Sequence, residues 1–508
     1  IVNCSWSFPT FFGDDFNGQM AESGTAIIDA VSHGREGLGS VFVFAAGNAR
    51  GIGDNTNHHN FANSIYTTSV ASTDAAGIVA HSSTPGASIL VAAPGVGILT
   101  TDVTAAGGHA GGDHVSVSGT SFAAPNVTGV VALMLDANAT LAYRDVQEIL
   151  AYSADLTDGS NSSWQINHAQ NWNGGGMHSS TDYGFGLVDT HDAVRLAETW
   201  SGRATFASLD TASEATAPGL AIPDGIARGI SSTLHITRAL DIDKVEIELD
   251  LQHDFVGDLR VVLTSPAGTE SILIDRPGHG ATDTDDIRFS LESNQFWGER
   301  SAGDWTLRVE DLARQEQGQL NSWRIDVHGD DATPDDLYVY TDEFARYGAA
   351  DAARRMLSDS GGDDTINASA VTSDARIDLN GGAVSQIAGQ RVTISVNTLI
   401  ERAYAGDGND TIIGNDLANF IWGGRGNDML TGGGGDDRFA FGFHSDDDTI
   451  SDFGRGDMIV LADGVELESI DASIARLDDG TMIMAGNGHH WVEADFAHGH
   501  QTAYESLG

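Results

Sequence analysis

The chain has 508 residues and a formal net charge of −48, with 25 Lys and Arg against 73 Asp and Glu. So acidic a surface repels phosphates and anionic lipids, which makes nucleic acid and membrane surfaces poor partners, and no apolar run is long enough to span a bilayer. Cys4 is the only cysteine and Lys244 the only lysine, so no intramolecular disulfide is available and bound metal is the staple to look for.

A chain of this length is expected to hold two or three domains. Ile1 and Val2 read as the inside of a strand rather than a leader, so the chain is expected to begin partway through a domain. Over residues 1–200, helix-period and strand-period segments alternate, the pattern of an α/β domain. Val41–Ala46 is an apolar run suited to a buried parallel strand. Helices are expected over residues 122–136, 144–154 and 189–200. Residues 201–330 change to short strands (Lys244–Leu251, Leu259–Thr264, Trp305–Val309, Trp323–Val327) separated by turns, which predicts an all-β sandwich or barrel. A polar joint at 331–337 reads as a linker. Residues 338–508 are rich in Gly, Asp and Asn, and four nine-residue blocks follow one another from Ala405: AGDGNDTII, GNDLANFIW, GGRGNDMLT and GGGGDDRFA. A weaker copy, DSGGDDTIN, starts at Asp359.

Ser118-Gly119-Thr120-Ser121-Phe122-Ala123-Ala124-Pro125 carries the chemistry of the first region. Ser121 falls at the start of an apolar helix, near free N–H groups and the positive end of the helix dipole, and Pro125 is expected in the first turn. Alone, this Ser would read as a helix cap. However, G-T-S-x-A-x-P resembles the nucleophile motif of subtilisin-like serine proteases. Ala45-Ala46-Gly47-Asn48, ending the apolar strand, resembles their oxyanion-hole segment, which implies that the Asn48 amide stabilises charge on the scissile carbonyl oxygen. Cys4-Ser5-Trp6, Asn63-Ser64-Ile65-Tyr66-Thr67 and Tyr183-Gly184-Phe185-Gly186 narrow the resemblance to the kexin/furin branch. The rest of that triad, Asp and His, is expected upstream of Ile1. His33-Gly34-Arg35 lies on a helical stretch and lacks the Thr of the His motif. Without a base, Ser121 is an ordinary alcohol, so this chain alone is expected to be inert.

Convertases line their primary pocket with acids that read Arg or Lys. Here one such position is Asp54, while another is His59, and Thr10 and Thr84 also lack the carboxylate, with Asp14 and Asp15 nearby in sequence. A strictly dibasic preference is therefore not expected.

His253-Asp254-Phe255-Val256-Gly257-Asp258-Leu259, Thr264-Ser265-Pro266-Ala267-Gly268 and Gly303-Asp304-Trp305-Thr306-Leu307 resemble the P (Homo B) domain of convertases. This implies a jelly-roll-like β-domain that stabilises the protease. Asp254, Asp258, Asp283 and Asp285 are candidates for a calcium ion there, though turn acids in solvent are the plainer reading.

The nonapeptide period is that of calcium-binding parallel β-rolls. In G-G-x-G-x-D-x-U-x the glycines allow a tight turn and the Asp adds a carboxylate, while the eighth residue (Ile412, Ile421, Leu430, Phe439) fills a thin core. Two blocks make one coil, so Asp410 is expected to stack on Asp428 and Asn419 on Asp437. The expected calcium ligands come from Gly406, Gly408, Asp410, Asn419, Gly424, Gly426, Asp428, Gly433, Gly435 and Asp437, a hard-oxygen set. The segment resembles the RTX (hemolysin-type) C-terminal module of serralysin-type proteins. That likeness implies export through a bacterial type I secretion apparatus, although no zinc motif accompanies it. The chain is thus expected to be a secreted, extracellular, calcium-dependent serine endopeptidase acting on proteins or peptides. The rival is a non-catalytic calcium-binding surface or adhesion protein on an inactive protease fold.

Overall fold

The computed structural model describes residues 1–103, 107–109, 112–225, 228–281, 286–442, 444–462, 464–471, 473–486 and 496–498. The chain divides into two compact units. The first comprises Ile1–Ala169, Met177–Ala197 and Gly202–Ala332; the second comprises Gln170–Gly176, Glu198–Ser201 and Thr333–Gly508.

In the first unit, four parallel strands lie in chain order: β1 (Val2–Cys4), β2 (Phe42–Ala45), β3 (Thr67–Thr73) and β4 (Ile89–Pro94). Val43, Val70 and Ala92 are fully buried, because a parallel sheet carries helices on its faces and both sides of its strands must be apolar. Helix α1 (Ala21–His33) connects β1 to β2, while α2 (Thr120–Ala137) lies on the sheet through Ala123, Ala124, Val127, Val131 and Met134. Helices α3 (Tyr143–Tyr152) and α4 (Thr190–Thr199) follow. Cys4 is half-buried on β1, not enclosed in the core.

Residues 210–331 form two antiparallel sheets around one core. One sheet pairs Leu240–His253 with Gly318–Asp331 and Ile287–Ser293; the other pairs Gly303–Asp311 with Ile230–Ile236 and Leu259–Thr264. Leu249, Leu263, Trp305 and Trp323 fill the space between them. Leu259–Thr264 has the expected bounds, while the other three expected strands run longer because alternation carries them into polar ends.

The second unit is a roll of two sheets, parallel through the repeats, with antiparallel hairpins added to one of them at 384–394 and 467–485. Thr411–Ile413 pairs in register with Met429–Thr431, and Phe420–Trp422 with Arg438–Phe441, so one coil is two nonapeptides. Ile412, Ile421, Leu430 and Phe439 are fully buried in its core, each stabilising the roll by about 2 kcal/mol.

Candidate active site and calcium roll

Ser121 sits at the second residue of α2, immediately after Gly119 at φ 146° and Thr120. Helix α2 begins at Thr120, so Pro125 lies in its second turn rather than its first. There its missing N–H orphans the Ser121 carbonyl, one turn back. The Ser5 hydroxyl repairs this by donating to that carbonyl at 2.9 Å. The Ser121 hydroxyl donates in turn to the Ser5 carbonyl at 3.3 Å. Among the described residues, no histidine bonds Ser121. His33 ends α1 in solvent, beside Asp29.

Asn48 lies in the exposed turn after β2 and is held on three sides. Its side-chain oxygen accepts the Thr120 N–H at 2.9 Å. The neighbouring Gly47 and Ala49 N–H groups donate to the hydroxyls of Thr120 and Thr84, at 3.2 and 3.0 Å. With its oxygen engaged, the Asn48 amide keeps its NH₂ group beside the start of α2, where it can donate a hydrogen bond. Thr84 is fully buried and shapes this turn; Thr10, at the exposed start of the loop after β1, joins neither arrangement.

The other pocket candidates gather elsewhere in these loops. His59 Nε2 lies 3.1 and 3.2 Å from the two oxygens of Asp54, and His59 Nδ1 lies 3.4 Å from Asp14 Oδ1. His58 Nδ1 lies 3.1 Å from Asp54 as well, with its ring between Phe11 and Phe12. Burial alone would lower the His59 pKa, but its bonds to Asp14 and Asp54 outweigh it and raise it to about 9. Burial dominates at His58 and lowers its pKa, keeping that ring neutral. Burial would raise the Asp54 carboxyl, yet the two imidazoles hold it at about 2. Asp15 takes no part; it caps the Asn17 N–H at 2.8 Å.

The β-domain clamps this loop. Asn60 and Asn63 donate to the Ser290 carbonyl at 2.9 Å, Asn57 donates to the Leu273 carbonyl, and the Glu292 N–H donates back to Asn57. Lys244 is buried at the same seam, bonded to the Thr67 carbonyl at 3.0 Å and lying 3.3 Å from Glu292. Asp258 is buried and has its pKa raised, first by burial and then by Asp311, while Asp283 and Asp285 lie outside the described residues. The described acids of this β-domain form no ligand group of three.

In the roll, Asp410 and Asp428 stack through a side chain: the Asp410 N–H donates to an Asp428 carboxylate oxygen at 2.7 Å. Asn419 does the same with Asp437 at 2.8 Å. The ladder continues upward, Asp428 to Asp448 and Asp437 to Asp457. The second oxygens of Asp428 and Asp437 face Gly423 and Gly432, where an added Cβ would lie 2.1 and 2.2 Å away. Gly424 and Gly426 have φ of 99° and 109°, and a Cβ on either would sit 2.2 and 2.0 Å from the carbonyls of Gly406 and Gly408 one coil below. Only glycine permits that approach. Gly433 and Gly435 repeat the arrangement over Asn415 and Leu417. Burial, then neighbouring acids, push Asp410 up to about 7, Asp437 to about 6 and Asp448 to about 9, against backbone N–H bonds that pull each down. These carboxylates and turn carbonyls form a donor set that fits calcium.

A further acidic group was not singled out from sequence. Asp336, Asp359 and Asp364 place ligand oxygens within 4.8 Å of one another. Asp364 is fully buried, and its second oxygen has no hydrogen-bond partner. Burial and Asp359 push its pKa to about 8. The weak repeat at Asp359 was the available signal; Asp336 lay hidden in the linker.

Comparison with known proteins agrees with this geometry. Residues 1–186 match the subtilase family. Over that segment the chain is similar to subtilases. Residues 242–327 match the proprotein convertase P-domain and residues 332–484 the C-terminal domain of M10 serralysin peptidases. Human proprotein convertase subtilisin/kexin type 6 is 31% identical over 346 residues, covering 65% of this chain and 34% of its own. The dibasic-processing endoprotease of Yarrowia lipolytica is 30% identical over 355 residues, with coverage of 65% and 34%. The chain thus spans about a third of the length of these relatives. A serine protease of Aeromonas sobria, solved in complex with a chaperone, shares the fold with a TM-score of 0.58 at 24% identity, over 65% of this chain and 71% of that one.

Proposed function

We propose that this chain is the nucleophile-bearing part of a secreted, calcium-dependent bacterial serine endopeptidase that cleaves protein or peptide substrates. The observation that carries the reading is Ser121 at the head of α2, with the Asn48 amide locked beside it by the Thr120 N–H. Ser121 attacks the scissile carbonyl, and the Asn48 NH₂ donates to the oxyanion that forms. The hydroxyl needs a base, and its bond to the Ser5 carbonyl supplies none. The Asp and His of the triad therefore come from a segment preceding Ile1, and residues 1–508 alone are inert. The P domain holds the pocket loop through Asn57, Asn60 and Asn63.

Calcium is held in the second unit by the repeat turns, through Gly406, Gly408, Asp410, Asn419, Gly424, Gly426, Asp428, Gly433, Gly435 and Asp437. Asp336, Asp359 and Asp364 form a separate group. Bound calcium supplies positive charge to these crowded oxygens, so the module folds outside the cell after export through a type I apparatus. A form extended upstream should label with a fluorophosphonate. Ser121→Ala should abolish labelling, and Asn48→Ala should slow it by about 10²–10³, the cost found for the like residue in subtilisin. An extended form that labels equally well with Ala at 121 refutes the assignment and favours a non-catalytic calcium-binding surface protein.

A further inference from the structure

Two loops border Ser121, and both carry buried ionisable groups that the proposed reaction leaves unused. In an open α/β sheet, ligands bind beyond the C-terminal ends of the parallel strands. Strand β1 leads directly into Ser5 and the loop that carries Asp14; β2 leads through Asn48 into the loop with Asp54, His58 and His59.

The surface these loops present beside the nucleophile is aromatic. Trp6 follows the serine that bonds Ser121 in both directions, and it is 46% exposed. Its ring lies 4.7 Å from Phe61, which stacks on Phe8 at 5.9 Å. The Phe61 N–H donates to Asp14 at 3.1 Å, so the acidic group lies under this wall. Neither carboxylate is open to solvent: Asp14 is 0% exposed and Asp54 7%. The Asp54 oxygens face His58, His59 and the Asn55 N–H, while Asp14 Oδ2 accepts from the Phe61 N–H and its Oδ1 lies 3.4 Å from His59 Nδ1.

Resting on the protease reading, we propose that His59 determines specificity: as the cation clamped between Asp14 and Asp54, it withdraws both carboxylates from the substrate, so the cleft selects an uncharged, apolar or aromatic residue before the scissile bond. A basic side chain reaching these acids would have to displace a buried ring whose Nε2 is hydrogen-bonded to Asp54 and whose Nδ1 lies 3.4 Å from Asp14. Two isolated charges of opposite sign in a dry site hold each other far more strongly than either holds a solvated substrate group. The raised His59 pKa is consistent with a ring that stays protonated at neutral pH. His59 acts through the two acids and is a positioning residue, so its replacement should change the ratio between substrates. A merely structural role would lower all of them alike.

The test uses the extended, full-length protein, first shown to label at Ser121. Peptide substrates differing only in Phe, Leu, Arg or Lys before the cleaved bond are compared by kcat/KM. The wild type should prefer Phe and Leu by about tenfold or more, and His59→Asp should shift the Arg to Phe ratio toward Arg by a similar factor. A wild type that prefers Arg or Lys overturns the proposal. Failure to label would instead refute the protease reading, and a binding measurement on residues 1–508 then decides this one. Benzamidine, an aryl amidinium, should not raise the thermal midpoint of the wild type. Saturable stabilisation by benzamidine that Asp54→Asn removes would overturn the proposal even if His59→Asp failed to fold.

Discussion

The two units solve one problem in opposite ways. Each buries carboxylates, and a buried ionised group is costly unless a partner of opposite charge stands beside it. The first unit sets a cation of its own beside several of them. His59 lies between Asp14 and Asp54, Lys244 beside Glu292, and Arg144 between Asp243 and Asp330. The second unit crowds Asp364, Asp410, Asp437 and Asp448 into turns where the upward pKa shifts come from burial and from further acids. Its Arg402 is committed to Asp363 and its Arg425 to Glu198. On the proposed reading, the difference teaches that the first unit meets several of its buried acids with its own side chains, whereas the second relies on a bound cation.

The largest effect should come from removing calcium. In chelator, strands Thr411–Ile413 and Met429–Thr431 should lose amide protection, while β2 and β3 keep theirs; hydrogen exchange read by mass spectrometry resolves the two. Metal-binding free energy is then folding free energy, and Asp410→Ala with Asp428→Ala should move the calcium midpoint upward. Equal protection in chelator would erase the contrast between the units.

Next in size is the loss of an internal cation. Lys244→Met leaves Glu292 buried opposite an apolar chain, and should cost the first unit about 3 kcal/mol in urea unfolding, the low end for a broken buried pair. The cost stays low because burial, opposed by Lys244, already lifts Glu292 to about 8, so the carboxylate can take up a proton instead. A variant as stable as the wild type would show that Lys244 is not the needed counter-charge.

His59 sharpens the comparison with a pH window. Its folded pKa of about 9 stands above its ordinary 6.5, because the bonds to Asp14 and Asp54 overcome burial. Its stabilisation is therefore full below pH 6.5 and disappears as pH rises through about 9. Asp54 acts in the other direction: its contribution is full above its ordinary 3.8 and is lost as pH falls through about 2. The urea midpoint of the first unit should fall between pH 6.5 and about 9, and His59→Asn should flatten that step. An unchanged alkaline step in the variant would assign it to another group.

The smallest effect concerns Ser5. Ser5→Ala removes the donor that serves the Ser121 carbonyl where Pro125 cannot, at a cost of about 1 kcal/mol. It should also slow fluorophosphonate labelling of the extended form without changing its pH profile. No loss in either measurement would mean that water replaces the hydroxyl.

Much of this was legible from local pattern. The roll was determined by its period, because repeating turn glycines and an apolar eighth residue can be satisfied only by stacking identical coils, and Ile412 over Leu430 follows from counting. Helix α2 and the proposed nucleophile were likewise written in one contiguous motif, to within two residues at the helix ends. What the tertiary structure decided lies where partners are distant in the chain. Asp14 and His59 are 45 positions apart, Ser5 and Ser121 are 116, and Lys244 and Glu292 are 48. Asp336 read as a linker acid until it met Asp359 and Asp364. A local motif states which backbone shape a segment prefers, through short-range sterics and hydrogen bonding. Which charge neutralises which depends on a few ångströms across separate loops, and only packing of the whole unit sets those distances.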